Sequence, residues 1–143
     1  MADRTPKSPD ADTQSGFTLL ELLVVIAILG LLAALVGPRL FSVLGTAKSK
    51  LATQQIDNIG SALDMYKLDV GSYPSTDQGL HALVEQPTGV GSWNGPYVKG
   101  AVPVDPWNHP YVYREPSSRS GHDFDLCSNG PSGTGGNDTI CNQ

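Results

Sequence analysis

A chain of 143 residues leaves room for about one small globular domain beyond its apolar N-terminal segment, because domains commonly run ~100–150 residues. Its net charge of −5 argues against a nucleic-acid partner, since phosphate contacts need a basic patch and the basic residues here are few and scattered. Glycine and proline crowd after Tyr73, which predicts a helical N-terminal part and a turn-rich C-terminal part.

The first predicted element is an apolar helix. Residues 22–36 are all apolar or glycine, and residues 17–21 extend the run to about the ~20 residues that cross a bilayer core. The polar leader ends before the run, and the sequence Gly37-Pro38-Arg39 after it is a poor signal-peptidase site. We therefore expect the segment to be retained as a membrane helix.

A carboxylate, Glu21, lies near the start of this apolar helix. A charged carboxylate inside hydrocarbon costs about 2.5–3.5 kcal/mol on insertion scales, and such residues usually face a partner. Two interpretations stay open. Either Glu21 lies at the headgroup boundary and needs no partner, or a cation from another subunit neutralises it.

Gly30 and Pro38 weaken the same helix. Proline inside a helix removes a backbone hydrogen bond and clashes with the preceding turn, at a cost of ~3 kcal/mol, and glycine is a poor helix former. A kink where the helix leaves the membrane is one consequence that fits this pattern.

Beyond Pro38 the helix pattern becomes amphipathic. Apolar residues recur at alternating steps of four and three, while Lys50, Gln54, Asp57 and Asp64 fall off the stripe. The stripe consists of Ala52, Ile56, Ile59, Leu63, Tyr66 and Val70. It predicts the inner face of a globular domain rather than a coiled-coil seam, in a helix that ends near Gly71.

The C-terminal part predicts short elements packed on that helix. The segments YVYRE, residues 111–115, and FDLCS, residues 124–128, alternate as short antiparallel strands with one buried face do. The segment GLHALV, residues 79–84, is compatible with a short second helix. The fold class is therefore α+β, with a small antiparallel sheet lying on a long helix and a C-terminal loop.

No catalytic pattern appears in the sequence. His81, His109 and His122 are separated without metal-ligand spacing, and there is no G-x-S-x-G, H-E-x-x-H or phosphate-binding glycine loop. We expect each histidine to be an exposed or turn residue, and we expect no enzymatic activity.

Cys127 and Cys141 bracket a glycine-rich loop. An exported domain meets an oxidising compartment, where two such cysteines can close the loop covalently. Closing a loop of this size contributes about 3 kcal/mol in the chain-entropy model. We predict a disulfide between them.

The hexapeptide GFTLLE, residues 16–21, followed by an unbroken apolar helix, resembles the processing site of type IV pilins and type II secretion pseudopilins. The resemblance implies that a prepilin peptidase cuts between Gly16 and Phe17 and methylates the new Phe17 amine. It also implies that Glu21 of one subunit attracts that amine on its neighbour, and that the segment from Gly30 to Pro38 loses helical order in the assembled fibre.

Three later stretches are similar to the major pseudopilins of type II secretion systems: LDMYKLDVGSYPSTDQGLHALVEQP, WNGPYVKG and VPVDPWNHPYVY. The resemblance implies a pilin-like fold with a leader at residues 1–16, a transmembrane and assembly helix at 17–37 and a periplasmic domain at 38–143. The family more often has Gly-Asn where this chain has Asn108-His109. Asparagine tolerates left-handed backbone, so we expect the turn to survive.

The segment SNGPSGTGGNDTI, residues 128–140, aligns with the loop that binds calcium in major pseudopilins. Pro131-Ser132 stand where the family typically has Ala-Asp, and only Asp138 is acidic within the loop. Calcium prefers six to eight oxygens, including carboxylates. If calcium binds, its candidate ligands are Ser132, Asp138 and the carbonyl of Asn129; otherwise the disulfide replaces the ion as the loop's staple.

The function that the resemblance implies is mechanical. The chain would rest in membrane lipid of the bacterial inner membrane, then polymerise with itself and with minor pseudopilins on an inner-membrane assembly platform, and the fibre would help move folded proteins across the outer membrane. Two alternatives remain. One is a minor pseudopilin or type IV pilin subunit, and the other is a membrane-anchored periplasmic binding module.

Overall fold

The structure is a computed structural model that describes residues 16–143. Its longest element is one helix of 52 residues, which is followed by a short 3₁₀ helix and a three-stranded sheet. The elements are α1 (Leu19–Val70), the 3₁₀ helix (Gly79–Leu83), β1 (Val112–Arg114), β2 (Asp125–Ser128) and β3 (Ile140–Cys141). The predicted α+β class, with a long apolar helix and a small antiparallel sheet, is confirmed.

The chain divides into two compact units between Phe41 and Ser42. In the described part of the first unit, the large aliphatic side chains of α1 are exposed. The predicted division into residues 1–16, 17–37 and 38–143 stays a prediction, and residues 1–15 of the predicted leader lie outside the described part of the chain.

The second unit is built on the apolar stripe of α1. Ala52, Ile56, Ile59, Leu63 and Tyr66 are buried and Val70 is half-buried, whereas Lys50, Gln54, Asp57 and Asp64 are exposed. The stripe is thus the helix's share of the core, as predicted. The helix ends at Val70 because Gly71 adopts a φ of 96°, which favours glycine, and its N–H donates to the Lys67 carbonyl at 2.8 Å.

The sheet is antiparallel in the order β1-β2-β3 and supplies the other side of the core. In β1, Tyr113 is buried between exposed Val112 and Arg114, as the alternation predicts. Tyr113 pairs with Leu126 in β2, which is fully buried. Phe124, Leu80 and Leu83 complete the cluster around the helix stripe.

The elements after α1 differ in detail from their predictions. Both predicted strands are shorter than the patterns indicated, and the predicted second helix is a 3₁₀ helix that ends at Leu83. The two-residue strand β3 was not predicted. Its two residues lie at the end of a glycine-rich loop, and so short a segment shows no alternation in sequence.

Candidate functional site

The N-terminal end of α1 carries the residues predicted to be processed. Gly16, Phe17 and Thr18 precede the helix, and the Phe17 side chain is 85% exposed. The Thr18 hydroxyl oxygen accepts the backbone N–H of Glu21 at 3.2 Å, which caps the first turn. The peptide bond between Gly16 and Phe17 therefore lies in exposed, non-helical backbone immediately before the cap.

Glu21 lies on the exposed surface of the first helical turn, among exposed leucines. A carboxylate in the first turn of a helix is favoured by the positive end of the helix dipole. Its predicted partner, the Phe17 amine of another subunit, is an intermolecular contact and stays a prediction.

The apolar part of α1 is long and hydrophobic enough to cross a membrane. An 18-residue window of this helix has a mean hydropathy of 3.0, and none of it is buried within the protein. This apolar part of α1 therefore takes no part in the buried core of the domain. So large an exposed apolar surface needs lipid or another apolar surface to cover it.

Gly30 and Pro38 both lie inside α1, which continues through each of them. The predicted loss of helical order between these residues concerns an assembled fibre and stays a prediction. A Cβ atom built on Gly30 would meet no heavy atom within 4 Å, so glycine is not required there by packing within this chain.

The C-terminal loop is closed by the predicted disulfide. Cys127 of β2 and Cys141 of β3 are paired directly across the sheet, with their Cα atoms 4.1 Å apart, and are bonded to each other. The disulfide therefore joins the two ends of the loop at residues 129–139.

The candidate calcium ligands all belong to this loop. The side-chain nitrogen of Asn129 donates to the Gly133 carbonyl at 3.2 Å, and the Ser132 hydroxyl oxygen accepts from the backbone N–H and the hydroxyl of Thr134. Asp138 is exposed. Within residues 16–143, no group of three or more His, Cys, Asp or Glu side chains is placed to hold a metal ion. A loop with one carboxylate fits a hard cation poorly, and calcium binding stays a prediction.

The turn before β1 packs beside the same loop and is organised by Asp105. The Asp105 carboxylate accepts the backbone N–H groups of Trp107 and His109 at 3.0 and 2.8 Å and the Ser128 hydroxyl at 2.6 Å. Burial raises the pKa of Asp105, but these hydrogen bonds outweigh it and hold the pKa below its usual value. Asn108 has a φ of 71°, so the predicted left-handed turn is confirmed.

A second buried carboxylate, Asp125 at the start of β2, holds the preceding loop by hydrogen bonds. Its role was not predicted from the sequence. Hydrogen bonds from Ser117 first, and from Arg119 and Ser118, hold the pKa of Asp125 well below its usual range against the effect of burial. Arg119 also donates to the backbone and side-chain oxygens of Asn142. The residues are spread over the sequence in ordinary polar segments, and no motif marks them.

A single long helix that exposes an apolar half and packs its other half under a small antiparallel sheet defines the class of pilin-like subunits. The family model for the type II secretion system, protein G, matches residues 39–143, and the prokaryotic N-terminal methylation motif matches residues 12–37. The first match covers the domain, and the second covers the apolar helix.

Relatives and a solved structure agree with that family. The chain is 50% identical over 129 residues to the type II secretion system core protein G of Pseudomonas aeruginosa, covering 87% of this chain and 89% of that one. It is 45% identical to the core protein G of Escherichia coli K12, covering 92% of each. It also resembles the crystal structure of the major pseudopilin from the type 2 secretion system of enterohaemorrhagic Escherichia coli, with 34% identity, a TM-score of 0.64, and coverage of 73% of this chain and 94% of that one.

The chain belongs to the type II secretion system protein G family. It is accordingly a membrane-anchored pseudopilin, a structural subunit rather than an enzyme, and it carries the N-terminal methylation motif. The predicted family, fold and absence of catalysis are confirmed by these matches.

Proposed function

We propose that this chain is the repeating subunit of a short periplasmic fibre, assembled by packing of its N-terminal helices after cleavage between Gly16 and Phe17. The fibre helps to move folded proteins across the outer membrane. Its partners are further copies of the same chain, minor pseudopilins, the prepilin peptidase and an inner-membrane assembly platform.

The exposed apolar half of α1 carries this proposal. Its large side chains are about half exposed or more, including Leu20, Ile26, Leu31 and Leu35. Lipid covers them before assembly, and the helices of neighbouring subunits cover them afterwards. The domain stays outside the bilayer because its surface is rich in polar and charged residues, and we place it in the periplasm, where its disulfide is stable.

Glu21 supplies the register of assembly in this proposal. The Phe17 amine created by cleavage remains a cation after methylation, and it meets the Glu21 carboxylate of an adjacent subunit. In a low-dielectric helix bundle the two charges attract strongly, and a register that leaves either charge without a partner is disfavoured. This favours the one arrangement of neighbouring helices that pairs both.

Calcium is a secondary part of the proposal. Asn129, Ser132 and Asp138 would be its ligands, and the loop's single carboxylate predicts weak binding. The disulfide between Cys127 and Cys141 closes the loop with or without the ion.

The test is electron microscopy of fibres from cells that express this chain with its assembly machinery. We expect fibres from the wild type and few or none from Glu21→Ala, although that variant should still be inserted and cleaved because its helix is more apolar. Asp77→Ala is the matched control, since it removes an exposed carboxylate of the domain. Normal fibre yield from Glu21→Ala would show that Glu21 belongs at the headgroup boundary, and absence of fibres from the wild type would contradict the proposed function.

A further inference from the structure

The backbone of His109 is held by Asp105 through both its N–H and its carbonyl group. Its N–H donates to the Asp105 carboxylate at 2.8 Å, and its carbonyl accepts the Asp105 N–H at the same distance. The Asp105 side chain is fully buried and also accepts the Ser128 hydroxyl. The position of the His109 backbone is therefore held by Asp105, which is itself hydrogen-bonded to Ser128 of β2.

From this fixed position the His109 ring reaches into that loop. Its Nδ1 atom lies 3.1 Å from the carbonyl oxygen of Gly130. The backbone N–H of Gly133 donates to the same oxygen at 3.2 Å, so residues 130–133 form a tight turn against the ring. A Cβ atom on Gly133 would lie only 2.8 Å from Nε2 of His109, at a φ of 71° that itself favours glycine.

The close approach shows that turn and ring are fitted to each other. Gly130 is buried, and its carbonyl oxygen lies within hydrogen-bond distance of both the Gly133 N–H and Nδ1 of the imidazole. A buried carbonyl needs its donors, because an unsatisfied buried acceptor is costly. A carbonyl oxygen is only an acceptor, so Nδ1 must carry the hydrogen.

We propose that His109 is a positioning residue that fastens the interior of the C-terminal loop to the turn before β1 through an Nδ1–H hydrogen bond to Gly130. The disulfide joins the ends of the loop, whereas His109 holds its first turn, so the two constraints act at different places. The neutral imidazole of His109 is accordingly the Nδ1–H tautomer. No bound ion is needed to satisfy the Gly130 carbonyl.

Long-range proton–nitrogen NMR of the full chain in detergent micelles tests the tautomer directly. We expect neutral His109 to carry its proton on Nδ1. His81 is the internal control, because its Nε2 atom lies 3.0 Å from the Glu85 carboxylate and should carry the proton on the opposite nitrogen. An Nε2–H tautomer at His109 would overturn the proposal.

Variants of the full chain test the positioning role. In an Asn side chain the amide N–H takes the place of Nδ1–H, whereas Ala offers no donor. With the disulfide intact, we expect His109→Ala to speed amide hydrogen exchange at residue 130 and at residues 132–136 by about 2- to 10-fold, the range for loss of one net hydrogen bond. We expect His109→Asn to stay closer to the wild type, and His81→Ala to leave these amides unchanged. Unchanged exchange in His109→Ala, or equal exchange in His109→Asn and His109→Ala, would contradict the role of the hydrogen bond.

Discussion

The Tyr113 hydroxyl donates a hydrogen bond of 2.7 Å to the carbonyl oxygen of Pro74, across 39 residues of sequence. Both residues are buried, and burial raises the pKa of Tyr113 well above its usual range, so its hydroxyl remains protonated. The bond ties the middle of β1 to the segment that follows α1. It is one of the few polar contacts in the core.

Tyr113→Phe should therefore destabilise the domain without changing its shape. The substitution leaves the buried Pro74 carbonyl without its donor, at a cost of about 1–3 kcal/mol. Urea unfolding of the domain without residues 1–38 measures the loss. Tyr97→Phe is the control, because that side chain is only half-buried and water can replace its hydrogen bonds. Equal losses in the two variants would contradict the importance of burial.

Asp125→Asn should lower the free energy of unfolding of the domain at neutral pH. It should also make that free energy depend less on pH in acid. A carboxyl whose pKa is depressed by folding contributes stability above its unfolded pKa, near 3.9, and loses it as pH falls through the folded pKa. We expect Asp125→Asn to cost about 1–3 kcal/mol at pH 7 and much less near pH 2. Asp105, whose pKa is also lowered by folding, should contribute to the acid dependence of stability that remains in this variant.

The matched control for that experiment is Asp123→Asn. The Asp123 carboxylate pairs with Lys67 at 3.3 Å on an exposed surface, where such pairs contribute about 0–1 kcal/mol. Unfolding curves from pH 2 to pH 7 compare the two variants. If Asp123→Asn changed the acid response as much as Asp125→Asn, the hydrogen bonds of Asp125 would not be its cause.

Replacing Gly16 by a bulky residue should leave an uncut precursor in the membrane. The bond to Phe17 lies in exposed backbone just before the first helical turn, and a large side chain there obstructs a peptidase that accepts glycine. Intact-mass spectrometry of the purified chain distinguishes the forms, with Ala27→Leu as a control of similar added bulk inside the helix. An unprocessed wild-type chain would refute cleavage at this bond.

Reduction of the disulfide between Cys127 and Cys141 should destabilise the domain more than removal of calcium does. The expected loss on reduction is about 2–5 kcal/mol, the usual range for small exported domains. Calcium stabilises only as far as its concentration exceeds its dissociation constant, and a loop with one carboxylate binds weakly. Thermal unfolding with calcium or chelator, in oxidised and reduced protein, separates the two. A large chelator effect with the disulfide intact would reverse the ranking and make Ser132 and Asp138 the next residues to mutate.

Local periodicity in the sequence predicts the helical half of the domain. It does not predict the long-range polar contacts. The spacing of Tyr66 and Ile56 alone predicts that both are buried, because a helix repeats every 3.6 residues. The contacts of His109 with Gly130 and of Arg119 with Asn142 each join residues that are about twenty positions apart, across strands and turns. No spacing rule covers such contacts. These contacts depend on how the turns are folded. Polar turns have similar compositions whatever hydrogen-bond partners their side chains have.

The pairing of early with late residues has a consequence for the timing of synthesis. The Tyr111 hydroxyl donates to the Gln55 side chain 56 residues earlier, and Lys67 reaches Asp123 over the same separation. At ~5–20 residues per second, a ribosome needs on the order of 3–10 seconds to make such a stretch, and non-local contacts also form slowly. During that interval the sheet that covers part of the apolar stripe of α1 has not yet been made. A chain that stalls before β1 is therefore a substrate for chaperones and proteases.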